Sequence, residues 1–241
     1  MKNLILLFAF VYGLSGFSQE TVTYASTDDL QITADVYKAE SDSDTFIILF
    51  HQAGYSRGEY TEIAPKLNSL GYHAMAVDQR SGNAVNGVKN QTKIEAKKAG
   101  KKTKYINAFP DVKASVDYVK NTYNPEKIII WGSSYSSSLV LKYAGDFPDA
   151  VDAVLSFSPG EYFGSKGLIA ESAKDIKIPS FITSSRGEKK SWSKINESIS
   201  SGKNTTFVPN GSGNHGSKAL WTSKSDHKEY WEAVTAFLKT I

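Results

Sequence analysis

Near its middle the chain runs from apolar, mostly β-branched residues into a turn of glycine and serine: Ile128-Ile129-Ile130-Trp131-Gly132-Ser133-Ser134-Tyr135-Ser136. The apolar run predicts a buried strand, because its length suits a strand and its side chains favour extended backbone. Apolar residues at helical spacing follow over 138–144. The sequence therefore predicts a strand, a sharp turn at Ser134 and a helix, in that order.

Such a turn would present a serine hydroxyl at the N-terminus of a helix. Gly132 and Ser136 lie two positions either side of Ser134, and both are small enough for the strand and helix backbones to approach closely. The helix would direct free N–H groups to the place where an oxyanion could form. Ser134 is therefore the candidate nucleophile, because Ser133 would begin the turn too early and Ser136 would lie inside the helix.

The composition is that of a single soluble globular domain of 241 residues. The chain has no cysteine, which excludes disulfides, thiolate metal sites and a cysteine nucleophile. A formal net charge of +3 is weak over this length, so we expect no nucleic-acid partner. The histidines are scattered, with no H-E-x-x-H motif and no glycine-rich phosphate loop, so we expect neither a metal nor another cofactor.

The first 18 residues indicate a secretory signal peptide. Lys2 is followed by an apolar run over Leu4–Tyr12 and by small residues up to Ser18, which predicts cleavage between Ser18 and Gln19. The alternative is an uncleaved membrane anchor, although a bilayer span needs about 20 apolar residues. We expect a secreted or periplasmic protein, with one domain over 19–241 and no membrane span after cleavage.

Strands and helices are predicted to alternate along the rest of the chain, which favours a mostly parallel sheet covered on both faces. The predicted strands are Thr21–Ala25, Gln31–Tyr37, Thr45–Phe50, Tyr72–Val77, Ile128–Trp131, Ala153–Phe157, Ser180–Thr183 and Thr205–Val208, and the predicted helices are Tyr60–Leu70, Asp111–Lys120 and Lys228–Lys239. Between Phe157 and Ser180 there is room for a helix but not for a cap domain, so we expect an open site.

A serine nucleophile needs a base to take its proton, and His215 is the candidate. It lies in the glycine-rich segment 210–216, just after the last predicted strand. Of the other histidines, His51 and His73 precede the serine and His227 begins the closing helix. We expect His51 to have a structural role in holding its own loop.

The acid that orients this base has two candidates. Glu188 is the first carboxylate after the predicted strand Ser180–Thr183. Glu161 follows the preceding strand and is the alternative.

Two backbone N–H groups are predicted to hold the oxyanion. One belongs to Tyr135, directly after the nucleophile, and the other to Gln52, in the loop after the third predicted strand. Tyr55, Tyr135, Tyr162 and Phe163 could line a pocket for an acyl group or a sugar, or could equally belong to the core.

The segment 80–104 is polar and rich in lysine. Its ordinary interpretation is a solvated helix or loop. The alternative is a patch that attracts an anionic substrate or polymer.

Together these motifs resemble those of the α/β-hydrolases, in particular dienelactone hydrolase-like proteins and serine esterases. The resemblance rests on the turn 132–136, on Phe50-His51-Gln52-Ala53-Gly54, on the segment 71–80 with its aspartate–x–arginine ending, and on the acid and histidine loops. It implies an α/β-hydrolase fold with an eight-stranded, mostly parallel sheet whose second strand is antiparallel, helices on both faces and no large lid.

The chain departs from that pattern at two positions. Ser136 replaces the glycine that usually closes the turn, and the nucleophile is a serine instead of the cysteine of dienelactone hydrolases. The second departure argues against a dienelactone as the substrate.

The sequence thus predicts an exported serine hydrolase that cleaves carboxylic esters through an acyl-enzyme on Ser134, with His215 and Glu188. The expected substrate is a small-molecule or polymer-linked ester. A peptidase or amidase on the same scaffold and a catalytically silent binding protein are the alternatives. The sequence makes no prediction about oligomeric state.

Overall fold

The computed structural model of the chain describes residues 18–40 and 44–241. The predicted signal peptide and its alternative, a membrane anchor, fall on residues outside these ranges apart from Ser18, and both stay predictions. In the described ranges, none of the helices combines the length and the apolar character that a bilayer crossing requires.

An eight-stranded sheet forms the centre of the described part of the chain. Its strands, with a separate two-stranded ladder of β5 and β6, are β1 (Ser18–Ala25), β2 (Gln31–Lys38), β3 (Thr45–Phe50), β4 (His73–Val77), β5 (Ala84–Val85), β6 (Val88–Lys89), β7 (Lys127–Ser133), β8 (Ala153–Phe157), β9 (Ser180–Thr183) and β10 (Asn204–Phe207). The strand order is β1-β2-β4-β3-β7-β8-β9-β10. Within this eight-stranded sheet, β2 is antiparallel to both of its neighbours and every other pair of strands is parallel, which confirms the predicted sheet.

Helices cover both faces of this sheet. They are α1 (Ile63–Ser69), α2 (Gln91–Lys98), α3 (Phe109–Tyr123), α4 (Tyr135–Asp146), α5 (Leu168–Ala173), α6 (Lys189–Ser198) and α7 (His227–Leu238). On β3, Phe46, Ile48 and Phe50 pack with α3 to α6, whereas Ile47 and Leu49 pack with α1 and α7. Burial on both faces explains why the central strands are continuous apolar runs.

One predicted helix begins later than expected. Residues Arg57–Tyr60 form a separate 3-10 turn, in which Ser56 Oγ accepts the Gly58 N–H at 3.2 Å, and α1 begins only at Ile63. The Tyr60 hydroxyl donates to Phe50 O at 2.7 Å, which ties this turn to the end of β3. Periodicity alone merged the turn with the helix because Tyr60 is as buried as the helical residues.

The predicted helix at Asp111–Lys120 extends further at both ends. Pro110 suits its first turn, where the missing N–H needs no partner, and Asn124 ends it with a φ of +46°. The other predicted strands and the closing helix are confirmed.

Two regions outside the regular alternation were also predicted correctly. Only the short α5 and its flanking loops lie between β8 and β9 in the described chain, so the protein has no large lid there. The lysine-rich segment 80–104 forms the ladder of β5 and β6 followed by α2, and most of its lysines are exposed. These lysines are exposed as the solvated interpretation predicts, and the alternative of a patch that attracts anions stays a prediction.

Parallel strands bring their carboxyl ends to one edge of a sheet. The loops after β3, β7, β8, β9 and β10 therefore meet at the same edge, and these loops carry every candidate site residue that the sequence identifies.

Candidate active site

Ser134 occupies a strained turn between β7 and α4. Its φ of +58° and ψ of −122° lie in a region that side-chain-bearing residues rarely adopt. The Ser134 N–H donates to Phe157 O of the neighbouring strand at 2.8 Å, which fixes the turn to the sheet. A Cβ on Gly132 would lie 2.3 Å from Ser136 O, so the close approach of strand and helix requires glycine there. This is the strand-turn-helix geometry that exposes a nucleophile at the top of a sheet.

Ser136, which stands in place of the usual glycine, is fixed by its hydroxyl. Its Oγ lies 2.5 Å from His51 O and 2.6 Å from Gln79 Oε1. A hydroxyl has one hydrogen to donate, and exchanging the amide O and N of Gln79 would let Nε2 donate to Ser136 instead. In the described chain Gln79 Nε2 otherwise lacks a partner. The serine is therefore accommodated without disturbing the turn.

Glu188 and His215 form the hydrogen-bonded pair expected of an acid and a base. Glu188 Oε1 contacts His215 Nδ1, and Oε2 accepts the Ser158 hydroxyl at 2.9 Å and the Ser185 N–H at 3.2 Å. Burial alone would raise the pKa of Glu188, but the hydrogen bond and charge of His215, with the hydrogen bonds from Ser185 and Ser158, lower it to about 2. Glu188 is therefore ionised at neutral pH and can orient the imidazole.

The alternative acid, Glu161, is engaged elsewhere. Its two carboxylate oxygens accept the N–H groups of Ile169 and Ala170 at 2.9 Å each, at the start of α5. The structure thus brings Glu188, and not Glu161, to His215.

The loop that carries His215 packs tightly against the residues on either side of the sheet edge. Gly216 has a φ of +71°, and a Cβ there would lie 2.6 Å from both Gln52 Oε1 and Ser133 Oγ. The Ser217 N–H donates to Ser133 Oγ at 2.8 Å. His215 is therefore held beside the turn of Ser134.

Ser134 itself contacts Tyr162. Burial raises the pKa of the Tyr162 hydroxyl and the charge of Glu188 raises it further, while a hydrogen bond with Ser134 lowers it. The Tyr162 hydroxyl itself donates to Ser158 O at 2.9 Å, and among the described residues Ser134 has no hydrogen bond with His215. Hydrogen bonds between nucleophile and base are often long in ligand-free structures and tighten when substrate binds.

The structure contradicts one predicted oxyanion donor. The Gln52 N–H donates to Glu59 Oε2 at 2.7 Å, so a buried carboxyl group already occupies it. The next N–H in this loop belongs to Ala53 and has no acceptor in the part of the chain that the structure describes. Tyr135, the other predicted donor, is the first residue of α4, where backbone N–H groups lack an intrahelical acceptor.

His51 is buried below this loop. Its Nδ1 donates to Gln52 O at 2.9 Å and its Nε2 accepts the Gln79 N–H at 3.1 Å. Burial lowers the pKa of His51, which keeps the ring neutral and suits these two roles. This environment is that of the structural histidine that the sequence predicted.

A cleft of about 400 Å³ is lined by Tyr162, whose hydroxyl contacts Ser134. Its lining residues are Lys104, Tyr105, Ile106, Tyr162, Phe163 and Gly164. Tyr105 and Tyr162 are 40% and 38% exposed, although both are large aromatic residues. Tyr105 stacks on the buried Tyr135 with ring centroids 4.6 Å apart. The aromatic faces of this cleft are thus open to a ligand beside Ser134.

Only some of the aromatic residues that the sequence proposes for a pocket line this cleft. Tyr162 and Phe163 line the cleft. Tyr55, which stacks on Trp221 with centroids 6.1 Å apart, and Tyr135, which is fully buried, are not among its lining residues. In residues 18–40 and 44–241, no three side chains of the metal-ligating types cluster closely enough to hold a metal ion.

Three residues of this site were not predicted from the sequence. Ser158 has a φ of +60°, and its Oγ both contacts Glu188 and accepts the Gly216 N–H at 2.9 Å. Glu59 and Ala53 carry no motif that marks them. The only available signal was their place in the loop and turn that follow β3.

A model of the family described as the α/β hydrolase fold matches residues 45–174, which is more than half of the chain. The protein therefore belongs to the α/β-hydrolase fold family. The matched region includes Ser134 and ends before Glu188 and His215.

Individual relatives agree with this assignment. A protein of Aquifex aeolicus, provisionally named a carboxymethylenebutenolidase, is 31% identical over 123 residues, which is 50% of each chain. The chain spans about half the length of the curated relatives it matches.

Among solved structures, an esterase of Pyrococcus furiosus is similar with a TM-score of 0.71 at 19% identity, over 93% of both chains. A dienelactone hydrolase of Anabaena variabilis has a TM-score of 0.71 at 13% identity, over 93% of this chain and 98% of its own. These likenesses show the shared fold.

Proposed function

We propose that the protein is a serine hydrolase that cleaves carboxylic esters, with Ser134 as nucleophile, His215 as base and Glu188 as the acid that orients it. The observation that carries the proposal is the Glu188–His215 pair beside the strained turn of Ser134. A base held by a carboxylate next to a serine hydroxyl on such a turn is the arrangement that activates serine for attack on a carbonyl.

The course of the reaction follows from the hydrogen bond between Glu188 and His215. Glu188 accepts from His215 Nδ1, which leaves Nε2 free to take the proton of Ser134 as Oγ bonds to the ester carbonyl carbon. Collapse of the tetrahedral intermediate breaks the bond to the alcohol oxygen, and His215 returns the proton to that oxygen. Water then attacks the acyl-enzyme by the same route and releases the carboxylic acid.

The N–H groups of Ala53 and Tyr135 hold the oxyanion in this scheme. Ala53 replaces the predicted Gln52, whose N–H is bound to Glu59. Loss of one such donor typically costs about 3–4 kcal/mol of transition-state stabilisation.

The cleft beside Ser134 supplies the binding site for the apolar part of the substrate. Tyr105 and Tyr162 offer aromatic faces, and the Tyr162 hydroxyl contacts Ser134, where the ester must bind. A small-molecule ester fits this cleft, and the absence of a large lid between β8 and β9 leaves room for an ester attached to a polymer.

We further propose that the protein acts outside the cytoplasm, secreted or periplasmic, after removal of residues 1–18. The support is Lys2, the apolar run Leu4–Tyr12 and the absence of cysteine, which frees the chain from oxidative folding.

The test compares para-nitrophenyl acetate with para-nitroacetanilide, which share the acyl group and differ in the atom of the leaving group. We expect the wild type to hydrolyse the ester and to leave the amide unchanged, and Ser134→Ala to lose ester hydrolysis almost completely. Ser191→Ala removes an exposed serine and should behave as wild type.

Retained ester hydrolysis in Ser134→Ala would contradict the assignment of the nucleophile. Hydrolysis of the amide by the wild type would favour the peptidase or amidase alternative, and a folded wild-type protein inactive on both would favour a binding protein.

A further inference from the structure

Glu59 is a buried carboxyl group that contacts the loops of the active site without being part of the proposed triad. It is 0% exposed and lies in the 3-10 turn Arg57–Tyr60. Its Oε2 accepts the Gln52 N–H at 2.7 Å and its Oε1 accepts the Ser133 hydroxyl at 2.8 Å. One side chain thus binds the residue before Ala53 and the residue before Ser134.

The network continues into the loop that carries His215. Ser133 Oγ, which donates to Glu59, also accepts the Ser217 N–H at 2.8 Å. On the far side of this loop, Trp221 Nε1 donates to the backbone oxygen of Glu59 at 2.9 Å. The segments that carry both oxyanion donors, the nucleophile and the base are therefore all connected to Glu59.

We propose that Glu59 is a positioning residue, whose carboxyl group fixes the loop after β3 against the turn before α4 and the His215 loop, so that the oxyanion donors face the reacting carbonyl. The inference rests on the proposed function. Glu59 touches no substrate in this account and acts through Ala53, Ser134 and His215.

The protonation state of Glu59 gives this role a measurable signature. Burial raises the pKa of Glu59 to about 7, although hydrogen bonds from Gln52 and Ser133 and the nearby His215 and Lys218 lower it. The other titratable groups that face it are the hydroxyls of Tyr55 and Tyr60, whose pKa values are raised by burial and by the charge of Glu59.

The neutral acid keeps these contacts and removes a buried negative charge. When Glu59 is protonated, one oxygen still accepts the Gln52 N–H, the other shares one hydrogen bond with the Ser133 hydroxyl in which either group can donate, and no negative charge opposes the developing oxyanion. Glutamine offers the same acceptor and donor without a titration. Leucine offers neither.

The experiment measures kcat and KM for para-nitrophenyl acetate in wild type, Glu59→Gln, Glu59→Leu and the control Glu62→Gln. Glu62 is an exposed carboxylate of the same segment that contacts Thr222. Each kcat is divided by the fraction of sites titrated with a fluorophosphonate. A purely structural role would lower that fraction and leave kcat per titrated site unchanged.

We expect Glu59→Leu to lower kcat per titrated site about 100-fold while KM changes less than about threefold, because oxyanion donors act mainly on the transition state. For Glu59→Gln, kcat/KM relative to wild type should rise about fivefold between about pH 6 and about pH 9, because only the wild type acquires the negative charge. Glu62→Gln should match wild type throughout.

An unchanged kcat per titrated site in Glu59→Leu would overturn the proposal. If that variant does not fold, a pH-independent ratio between Glu59→Gln and wild type would overturn it instead. A wild type that is neither titrated nor active would mean that the proposed function itself is wrong, and a positioning role would fall with it. If the wild type is active and the Glu59 variants have its kcat and pH dependence, the positioning role of Glu59 would be contradicted and the proposed function would stand.

Discussion

At the scale of single residues, two carboxylates that each follow a strand of the sheet have different hydrogen-bond partners. Glu188 contacts His215 and is held by Ser158 and Ser185. Glu161 accepts two backbone N–H groups at the start of α5. One carboxylate is placed to orient a base and the other to stabilise a helix end.

Neutralising each carboxylate should therefore separate activity from stability. We expect Glu188→Gln to lower kcat/KM about 10³- to 10⁴-fold, because an amide would favour the wrong tautomer of His215. Glu161→Gln should change kcat/KM less than about threefold and lower the free energy of unfolding by about 1 kcal/mol, through a weaker helix end. Steady-state kinetics and urea unfolding measure the two effects, and the reverse pattern would make Glu161 the acid.

The sequence predicted the residues of this site that follow strand ends. Ser134, Glu188 and His215 each come shortly after an apolar run, and the structure brings Glu188 and His215 into contact beside the turn of Ser134. It did not predict that Glu59 would accept the Gln52 N–H, because this contact depends on how the 3-10 turn folds the Glu59 carboxyl group back under the loop, which no local pattern encodes. Ser158 was missed for the same reason.

At the scale of elements, the turn between β7 and α4 tolerates serine where a glycine is usual. The Ser136 hydroxyl lies within hydrogen-bond distance of His51 O and Gln79 Oε1. The departure from the motif is therefore a local hydrogen-bonding arrangement, and we expect it to leave the nucleophile competent.

Restoring the glycine should change stability more than activity. We expect Ser136→Gly to lower the free energy of unfolding by about 1–2 kcal/mol, from a glycine in a helix and a lost hydrogen bond. Its kcat/KM should stay within about threefold of wild type. A tenfold gain in kcat/KM would show instead that Ser136 obstructs the turn.

The loop of His215 depends on a glycine for its conformation. Gly216→Ala would place a Cβ against Gln52 and Ser133 in a left-handed backbone conformation. We expect it to lower the free energy of unfolding by about 1–3 kcal/mol and kcat at least about tenfold, because His215 would shift. Gly211→Ala in the same loop is the control, since its Cβ would meet only Asp226 at 3.8 Å. Equal effects of the two substitutions would contradict this account of the loop.

Element boundaries show where sequence patterns stop being informative. The central strands of the sheet were predicted because burial on both faces makes them continuous apolar runs. The predicted start of α1 was wrong because Tyr60 is buried in the same apolar cluster as the residues of α1 although it lies in the 3-10 turn. Hydrophobic periodicity cannot distinguish a buried residue of such a turn from a buried residue of the helix that follows.

At the scale of the whole molecule, Glu59 and Glu188 should give the stability opposite dependences on pH. The folded-state pKa of Glu188 is lowered to about 2 from 4.5, so its contribution is present above 4.5 and is lost as the pH falls towards 2. The pKa of Glu59 is raised to about 7 from 4.5, so its contribution is present below 4.5 and is lost as the pH rises through 7.

Comparison with Glu59→Gln isolates the contribution of Glu59 to the pH dependence of stability. As the pH rises from about 4.5 to about 8, the wild type should lose about 2–3 kcal/mol of unfolding free energy relative to this variant, because only the wild type must ionise a buried acid. Urea unfolding at both pH values measures the difference. A difference that stays constant with pH, or that changes sign, would contradict the raised pKa of Glu59.

The central claim is that Ser134 is activated by His215. The most direct test is labelling of the purified protein with a fluorophosphonate, followed by peptide mapping of wild type, Ser134→Ala, His215→Ala and the exposed-site control Ser191→Ala. The account predicts a single label on Ser134 in wild type and Ser191→Ala, and none in the other two variants when all are folded. A label that persists in Ser134→Ala, or a folded wild type that takes no label, would contradict it.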